Sequence, residues 1–376
     1  MIDKNILINE FNFENDIIYL NCGSLGKMPK SSANLLNQYL LDEIRCPTNS
    51  SNTERLRDTY YELKNKMSNI LGVNDGNLAY IQSTNIGIGT LLTAFTWNKG
   101  DKILIGNNEY SDGVLPFYAL KLKFGVEIIE LDSQNLIEEI NKNIDDKVKL
   151  IFFSHIEYNT GVIHDLKKIR EAINIGKDTK LLVDGAQAIG QVNVQLDSVD
   201  FYVFPFHKWM LGPMGTGMIY IKSTKDLKPI ILSTLGIDYT SENKRALRKD
   251  ARLVENSSFN FWLFATILNN IRLLNKIGFE NIYEHIETLA SYFISELQSK
   301  NLMFIDNCYY KHGMAFIELN RTQNNNKLIE ELENNNIYAR TIPDSNKLRF
   351  CFHIYNTKKQ IDVLVNNLIN FRRNNK

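Results

Sequence analysis

The sequence has few cysteines, no surplus of either charge and no long apolar run. Its four cysteines, Cys22, Cys46, Cys308 and Cys351, are scattered, without a C-x-x-C pair or a metal-type spacing. That scatter fits a reducing compartment better than a disulfide framework and offers no metal-ligand spacing. The 43 basic and 43 acidic residues cancel, so no electrostatic footprint for nucleic acid or an anionic membrane is expected. No stretch approaches the ~18 consecutive apolar residues of a spanning helix. Met1 to Glu14 carries acids and asparagines where a secretory signal needs an apolar core. The expected location is the cytoplasm. Internal repeats and low-complexity blocks are also absent.

What is present is an ordinary soluble composition, 44% hydrophobic and 23% charged, over 376 residues. That length suits two domains and buries a large core without staples. Short β-branched and aromatic runs predict strands at Leu78–Gln82, Lys102–Ile105, Val126–Leu131, Leu150–Ser154, Leu181–Asp184, Asp200–Phe204 and Met218–Ile221. Helical patterns fall between several of them, for example Leu136–Asn143 and Leu166–Ile175. Strands alternating with helices indicate an α/β fold with a mainly parallel, doubly wound sheet, whose ligands bind beyond the carboxyl ends of the strands.

After Ile221 the pattern changes. Residues Asp238–Arg252 read as a loop, followed by helices over Phe261 to about Ile277 and about Ile282 to Leu297. The tail carries a strand at Ala315–Leu319, a helix near Asn326–Asn334, a strand at Leu348–His353 and a last helix opened by a Thr357/Gln360 capping box. The expected division is a large domain over 17–250. A smaller α+β domain would comprise 251–376 with residues 1–16 as an N-terminal arm.

The chemistry concentrates in three short segments: Asp184-Gly185-Ala186-Gln187, His207-Lys208 and Gly212-Pro213-Met214-Gly215-Thr216-Gly217. Asp184 closes one apolar strand and Lys208 follows the next, so both belong where a ligand would sit. A lysine just past a buried strand is partly desolvated, which lowers its pKa and frees a neutral amine to attack an aldehyde. A carboxylate at a neighbouring strand end can pair with a protonated pyridine nitrogen and keep that ring an electron sink. Thr84 ends a strand and opens a helix over Ile86–Phe95, whose first amides suit an anion.

The run VDGAQAIG…DFYVFPFHKWMLGPMGTGMIYI resembles the core signature of the class V aminotransferase superfamily of fold-type I pyridoxal-phosphate enzymes. That group includes cysteine desulfurases, isopenicillin N epimerase, kynureninase and C–S lyases. The resemblance extends from Tyr19-Leu20-Asn21 to Tyr355-Asn356-Thr357. It implies pyridoxal 5'-phosphate as cofactor, held as a Schiff base by Lys208, with Asp184 at the pyridine nitrogen and Gln187 at the phenolic oxygen. His207 and Ser83-Thr84-Asn85 would contact the phosphate, and Tyr110 would stack on the ring. Arg349 would grip the substrate α-carboxylate, with Arg340, Asn21 and Tyr158 as further substrate residues. A homodimer with the site at its interface is implied, Ser257 or Ser258 reaching across to the neighbouring phosphate.

The departures from the family pattern narrow the chemistry. Pro205 stands where relatives often have serine, and Tyr158 where desulfurases commonly carry asparagine. The segment between Arg340 and Arg349, where desulfurases keep their persulfide-forming cysteine, contains none. Cys351 lies in the following strand, where a thiol usually packs. The expected activity is therefore a C–S lyase acting by β-elimination on a cysteine-derived amino acid. The alternatives are an epimerase or aminotransferase resembling isopenicillin N epimerase, and a desulfurase-like protein lacking the usual cysteine. His155-Ile156-Glu157 contains an H-x-E of the zinc-deaminase kind, but no P-C-x-x-C follows, and a satisfied polar pair at a strand end explains it.

Overall fold

Seven short apolar runs become the strands of one sheet in the computed structural model, which describes residues 4–11, 17–46, 50–173, 178–243, 245–258, 260–320 and 324–374. The chain opens with α1 (Lys4–Phe11), β1 (Ile18–Tyr19), α2 (Lys30–Arg45) and α3 (Ser50–Leu71). Alternation follows: β2 (Leu78–Ile81), α4 (Thr84–Ala94), β3 (Lys102–Gly106), α5 (Ser111–Phe124), β4 (Glu127–Leu131) and α6 (Leu136–Asn143). It continues through β5 (Val148–Ser154), α7 (Leu166–Ile173), β6 (Lys180–Asp184), β7 (Phe201–Pro205) and β8 (Gly217–Ile221). The strand order is β2-β8-β7-β6-β5-β3-β4, and every neighbour is parallel except β8, which runs against both β2 and β7. The mainly parallel doubly wound sheet read from the sequence is thus present.

Two-residue periodicity sorts the strand side chains between the faces. Ile103, Phe152, Leu182 and Val203 pack with Leu91 and Phe117 of α4 and α5 on one side. Leu104, Phe153, Val183 and Phe204 pack on the other with Leu63 and Met67 of α3 and Phe264 and Ile271 of the helix α8 (Phe261–Ile277). Both faces are covered, which is why these strands read as continuous apolar runs. Since α8 shares this core, apolar packing of the large sheet continues past the division expected at 250/251.

The remaining elements are α9 (Phe279–Lys300), β9 (Ile305–Lys311), β10 (Met314–Leu319), α10 (Asn325–Asn334), β11 (Ile337–Tyr338), β12 (Arg340–Thr341), β13 (Lys347–Cys351) and α11 (Lys358–Asn374). They form an antiparallel sheet of order β12-β13-β10-β9 over a separate core containing Phe293, Ile317, Phe350 and Leu364. The N-terminal stretch joins this part of the chain. β1 pairs in parallel with β11, and Asn21 bridges to Cys351. That tie delivers the segment after Tyr19 to the mouth of the large sheet.

The structure corrects several boundaries. Ser83 accepts a hydrogen bond from the Ile86 amide and caps α4, so the helix starts at Thr84 rather than Ile86. Strand β9 escapes the sequence pattern because most of its residues are only partly buried. The end expected for Leu166–Ile175 lies outside the described residues. Within Asp238–Arg252, Leu247 bridges back to Ile237 and a short 3-10 turn begins at Ala251. The Thr357/Gln360 capping box is formed reciprocally, at 3.1 and 3.3 Å.

A buried ionic knot fixes the chain just before Ser257 and Ser258. Glu255 takes Tyr60 Oη at 2.5 Å, the Tyr80 amide at 2.7 Å and Lys64 Nζ at 3.4 Å. Burial lowers the pKa of Lys64, opposed by the Glu255 carboxylate. Removing one partner leaves the other charge buried and uncompensated. Glu255→Ala is expected to lower the unfolding free energy by about 3–5 kcal/mol, measured by urea denaturation, and adding Lys64→Met should recover part of the loss.

Candidate active site

Beyond the carboxyl ends of β2, β3, β5, β6 and β7 lies a cavity of about 320 Å³. Each strand contributes through its own end. Ser83, Thr84 and Asn85 follow β2, Tyr110 follows β3, Ser154 ends β5, Asp184 ends β6, and His207 and Lys208 follow β7; all line the cavity. Asp184 pairs with Ser154 and Val203 in the ladder, so its position is fixed by sheet register. Lys208 is held through its backbone: Gly26 N donates to His207 O at 2.6 Å. A Cβ on Gly26 would fall 2.2 Å from Lys208 O, so only glycine lets the N-terminal segment approach this closely.

Burial sets the electrostatics. The Lys208 amine is pulled down to about 8 by desolvation, opposed by Asp184 and aided by Arg349 and Arg340. Desolvation pushes Asp184 up, opposed by Lys208 and by the Ala186 amide, which donates to Asp184 Oδ1 at 2.8 Å. Burial and Lys208 hold the His207 ring down to about 4, so it is neutral, and its Nδ1 is buried with no partner among the described residues. Beneath Tyr110, burial pushes Glu109 up to about 8, against hydrogen bonds from the Ser154 amide at 2.8 Å and hydroxyl at 2.5 Å.

On the opposite wall two arginines converge. Arg340 of β12 and Arg349 of β13 are direct cross-strand partners. Like charges in that register repel unless an anion or strong acceptor serves both. Here they share Ser24 Oγ, at 2.9 Å from Arg340 Nη1 and 3.1 Å from Arg349 Nη2. Arg349 Nη1 also donates to Tyr158 O at 2.9 Å, while its buried Nε has no partner among the described residues. Tyr158 packs edge-on to Tyr110 at 5.4 Å, and Lys208 Nζ lies 5.9 Å from the Tyr110 ring centroid.

The cavity thus gathers most residues singled out from the sequence. Gln187 lines it too, but its side chain already serves the protein, donating to Gly23 O and accepting from Trp209 Nε1, each at 2.8 Å. Asn21 stands outside the wall, where its carbonyl accepts from the Ser24 and Leu25 amides and turns the chain. Ser257 and Ser258 are exposed and off the cavity; Ser258 borders a smaller recess with Gln82 and Thr216. Ser24 and Glu109 were missed as individual residues. The hint for Ser24 was its place in Gly23-Ser24-Leu25-Gly26. His155 is bonded through Nδ1 to Tyr202 Oη at 2.9 Å, and Glu157 pairs with His164 at 3.2 Å, both as satisfied polar groups.

These residues fit pyridoxal phosphate. His207, whose buried Nδ1 has no partner among the described residues, lines the cavity together with Ser83, Thr84 and Asn85 at the N-terminus of α4, as an anion site needs. A buried carboxylate and a desolvated amine stand at adjacent strand ends.

Comparison with known proteins agrees. The profile of the family "Aminotransferase class-V" matches residues 19–364. The chain belongs to this family of pyridoxal-phosphate-dependent enzymes. A probable cysteine desulfurase of Methanothermobacter thermautotrophicus is 25% identical over 72% of this chain and 70% of its own. The structure of a C-DES mutant with glycine covalently linked to its cofactor superposes with a TM-score of 0.89 at 20% identity, covering 96% of this chain and 98% of its own. The cystine C–S lyase C-DES in complex with its product cysteine persulfide superposes at 0.87 with 21% identity, over 96% and 99%. Among the described residues no helix is long and apolar enough to cross a membrane.

A lysine at about 8 is neutral over more of the physiological range than one at 10.5. Covalent attachment of pyridoxal phosphate to the apoenzyme should therefore speed up with rising pH and level off above about 8, whereas a free lysine would continue towards ~10.4. Asp184→Asn removes a charge that raises the Lys208 pKa, so the midpoint should move lower. Stopped-flow absorbance across pH measures both; Lys208→Ala should abolish borohydride-fixed cofactor.

Proposed function

We propose that this protein is a C–S lyase acting by β-elimination on a cysteine-derived amino acid, with cystine as the best-fitting substrate. One observation carries the reading. The cavity presents two arginines for anionic groups, yet no cysteine is among its lining residues. With no thiol at hand to take up sulfur, the sulfur fragment leaves with the product. The known cystine lyase with the same fold supports the choice, and two carboxylates on one substrate match Arg340 and Arg349.

In this reading Ser83, Thr84, Asn85 and His207 hold the cofactor phosphate, Asp184 the protonated ring nitrogen, Gln187 the phenolic oxygen and Tyr110 the ring face. When bound, pyridoxal phosphate supplies covalent attachment for the substrate amine and a sink for negative charge at Cα. Arg349 takes the α-carboxylate bidentately and orients the Cα–H bond towards Lys208. Lys208 Nζ, lowered to about 8, accepts that proton as general base. Arg340 and Tyr158 receive the distal half of the substrate. Cleavage of the Cβ–S bond and hydrolysis of the released fragment by one water then yield pyruvate, ammonia and, from cystine, cysteine persulfide.

Ser257 and Ser258 are exposed, as residues offered to a second subunit must be, and we place the active form as a cytoplasmic homodimer with these hydroxyls completing the neighbouring phosphate site. The division at 250/251 is kept with α8 as the helix that cements the two parts.

The test is a product assay on purified, cofactor-loaded enzyme with cystine and thioether conjugates of cysteine. Pyruvate with released thiol or persulfide is expected. Exchange of the Cα proton without pyruvate would mark an epimerase or aminotransferase instead. Arg349→Ala should lower kcat/KM by about 10²-fold, the worth of ~3 kcal/mol of charged hydrogen bonding, and Arg349→Lys should restore little of it.

A further inference from the structure

Behind the arginine wall two of the four cysteines touch. Cys351 N donates to Leu20 O at 2.7 Å, and Asn21 bridges to Cys351, so the N-terminal segment runs beside the end of β13. The Cys22 thiol lies 3.7 Å from Cys351 O and 3.9 Å from Phe352 O and donates towards these carbonyls. Both residues are fully buried. Cys22 follows directly on the bridged Asn21, so the two cysteines sit on neighbouring stretches of backbone, the placement a disulfide requires.

The two thiols are not equivalent. Burial works against charge on Cys351, but the Cys22 hydrogen, Arg349 and the Gly23 amide hold it down to about 6, while burial pushes Cys22 well up. Gly23, which lines the cavity, packs directly against the Cys351 sulfur. A Cβ there would fall 2.7 Å from Cys351 Sγ and 3.2 Å from Arg349 Cζ. The packing is close enough at this point that only glycine fits.

We propose that Cys22 and Cys351 form a reversible disulfide, made by hydrogen peroxide and broken by thiol reductants, that loosens the grip on the substrate carboxylate. The Cys351 thiolate attacks one peroxide oxygen; the O–O bond breaks and hydroxide leaves, taking up a proton as water. The Cys22 sulfur then attacks the resulting sulfenic acid, the S–O bond breaks, and the second water departs with the Cys22 proton. Two thiols are oxidised and one peroxide is reduced.

The link to function is short. Cys22 stands two residues before Ser24, the shared acceptor of both arginines, and Cys351 two residues after Arg349 on the same strand face. Bonding the sulfurs shifts these two backbone segments relative to each other and displaces Ser24 from the guanidinium groups. This effect on turnover rests on the carboxylate grip proposed above; the disulfide itself does not.

The experiment treats the holoenzyme with hydrogen peroxide, denatures it in iodoacetamide and maps its peptides by mass spectrometry. A Cys22–Cys351 linked peptide is expected, with Cys46 and Cys308 alkylated. In parallel, KM for a thioether conjugate of cysteine, which dithiothreitol leaves intact, should rise about tenfold and return on reduction. Cys22→Ser should keep the unoxidised activity but give no linked peptide and no recovery. Alkylation of both thiols after peroxide, or a persulfide or sulfinic acid on Cys351 in place of the link, overturns the proposal. A linked peptide with unchanged KM overturns the coupling to the grip. Absence of turnover in the untreated enzyme counts against the lyase reading alone, because the peptide map is read without activity.

Discussion

A cationic amine and an anionic carboxylate brought out of water at neighbouring strand ends are the constraint around which the rest of this molecule is arranged. Each group is costly to bury alone, and each lowers the cost of the other. Register in the parallel sheet fixes Asp184 beside Val203, and the turn after β7 returns Lys208 to the same level. The outcome is an amine soft enough to react and a carboxylate that strengthens as soon as a protonated nitrogen arrives. The sheet supplies rigidity; the apolar layers on both faces supply the low dielectric that makes the pair matter.

Around that pair the cavity is divided by charge. One end is neutral and rich in donors, made by the first turn of α4 and an uncharged His207. The other is cationic, made by two arginines set against each other across β12 and β13. A planar cofactor with a phosphate at one end and a substrate carboxylate at the other matches this division. Tyr110 and Tyr158 pack edge-on to each other and add aromatic surface to the lining.

How much of this was legible in the sequence followed from range. Asp184, Gln187, His207 and Lys208 sit in segments whose local pattern announces a strand end, and all four line the cavity. Tyr110 and Arg349 came from family resemblance, since nothing within ten residues of either marks a pocket. Ser24 was invisible because its importance lies wholly in two arginines from the far end of the chain. The contact of Cys22 with Cys351 was invisible for the same reason. Strand β9 was lost to partial exposure, which erases the apolar run, and the start of α4 was displaced because a capping serine looks the same in a loop as at a helix end.

The pairing of β1 with β11 has a consequence for how the protein is made. Ser24 meets Arg340 and Arg349 across sequence separations of 316 and 325 residues. A chain that has completed the large sheet still lacks the arginine side of the cavity, because the strands carrying both guanidinium groups come later in the sequence. Closure of so long a loop comes late and slowly in folding. The arginine side of the cavity is thereby completed only when two distant stretches of the chain have met.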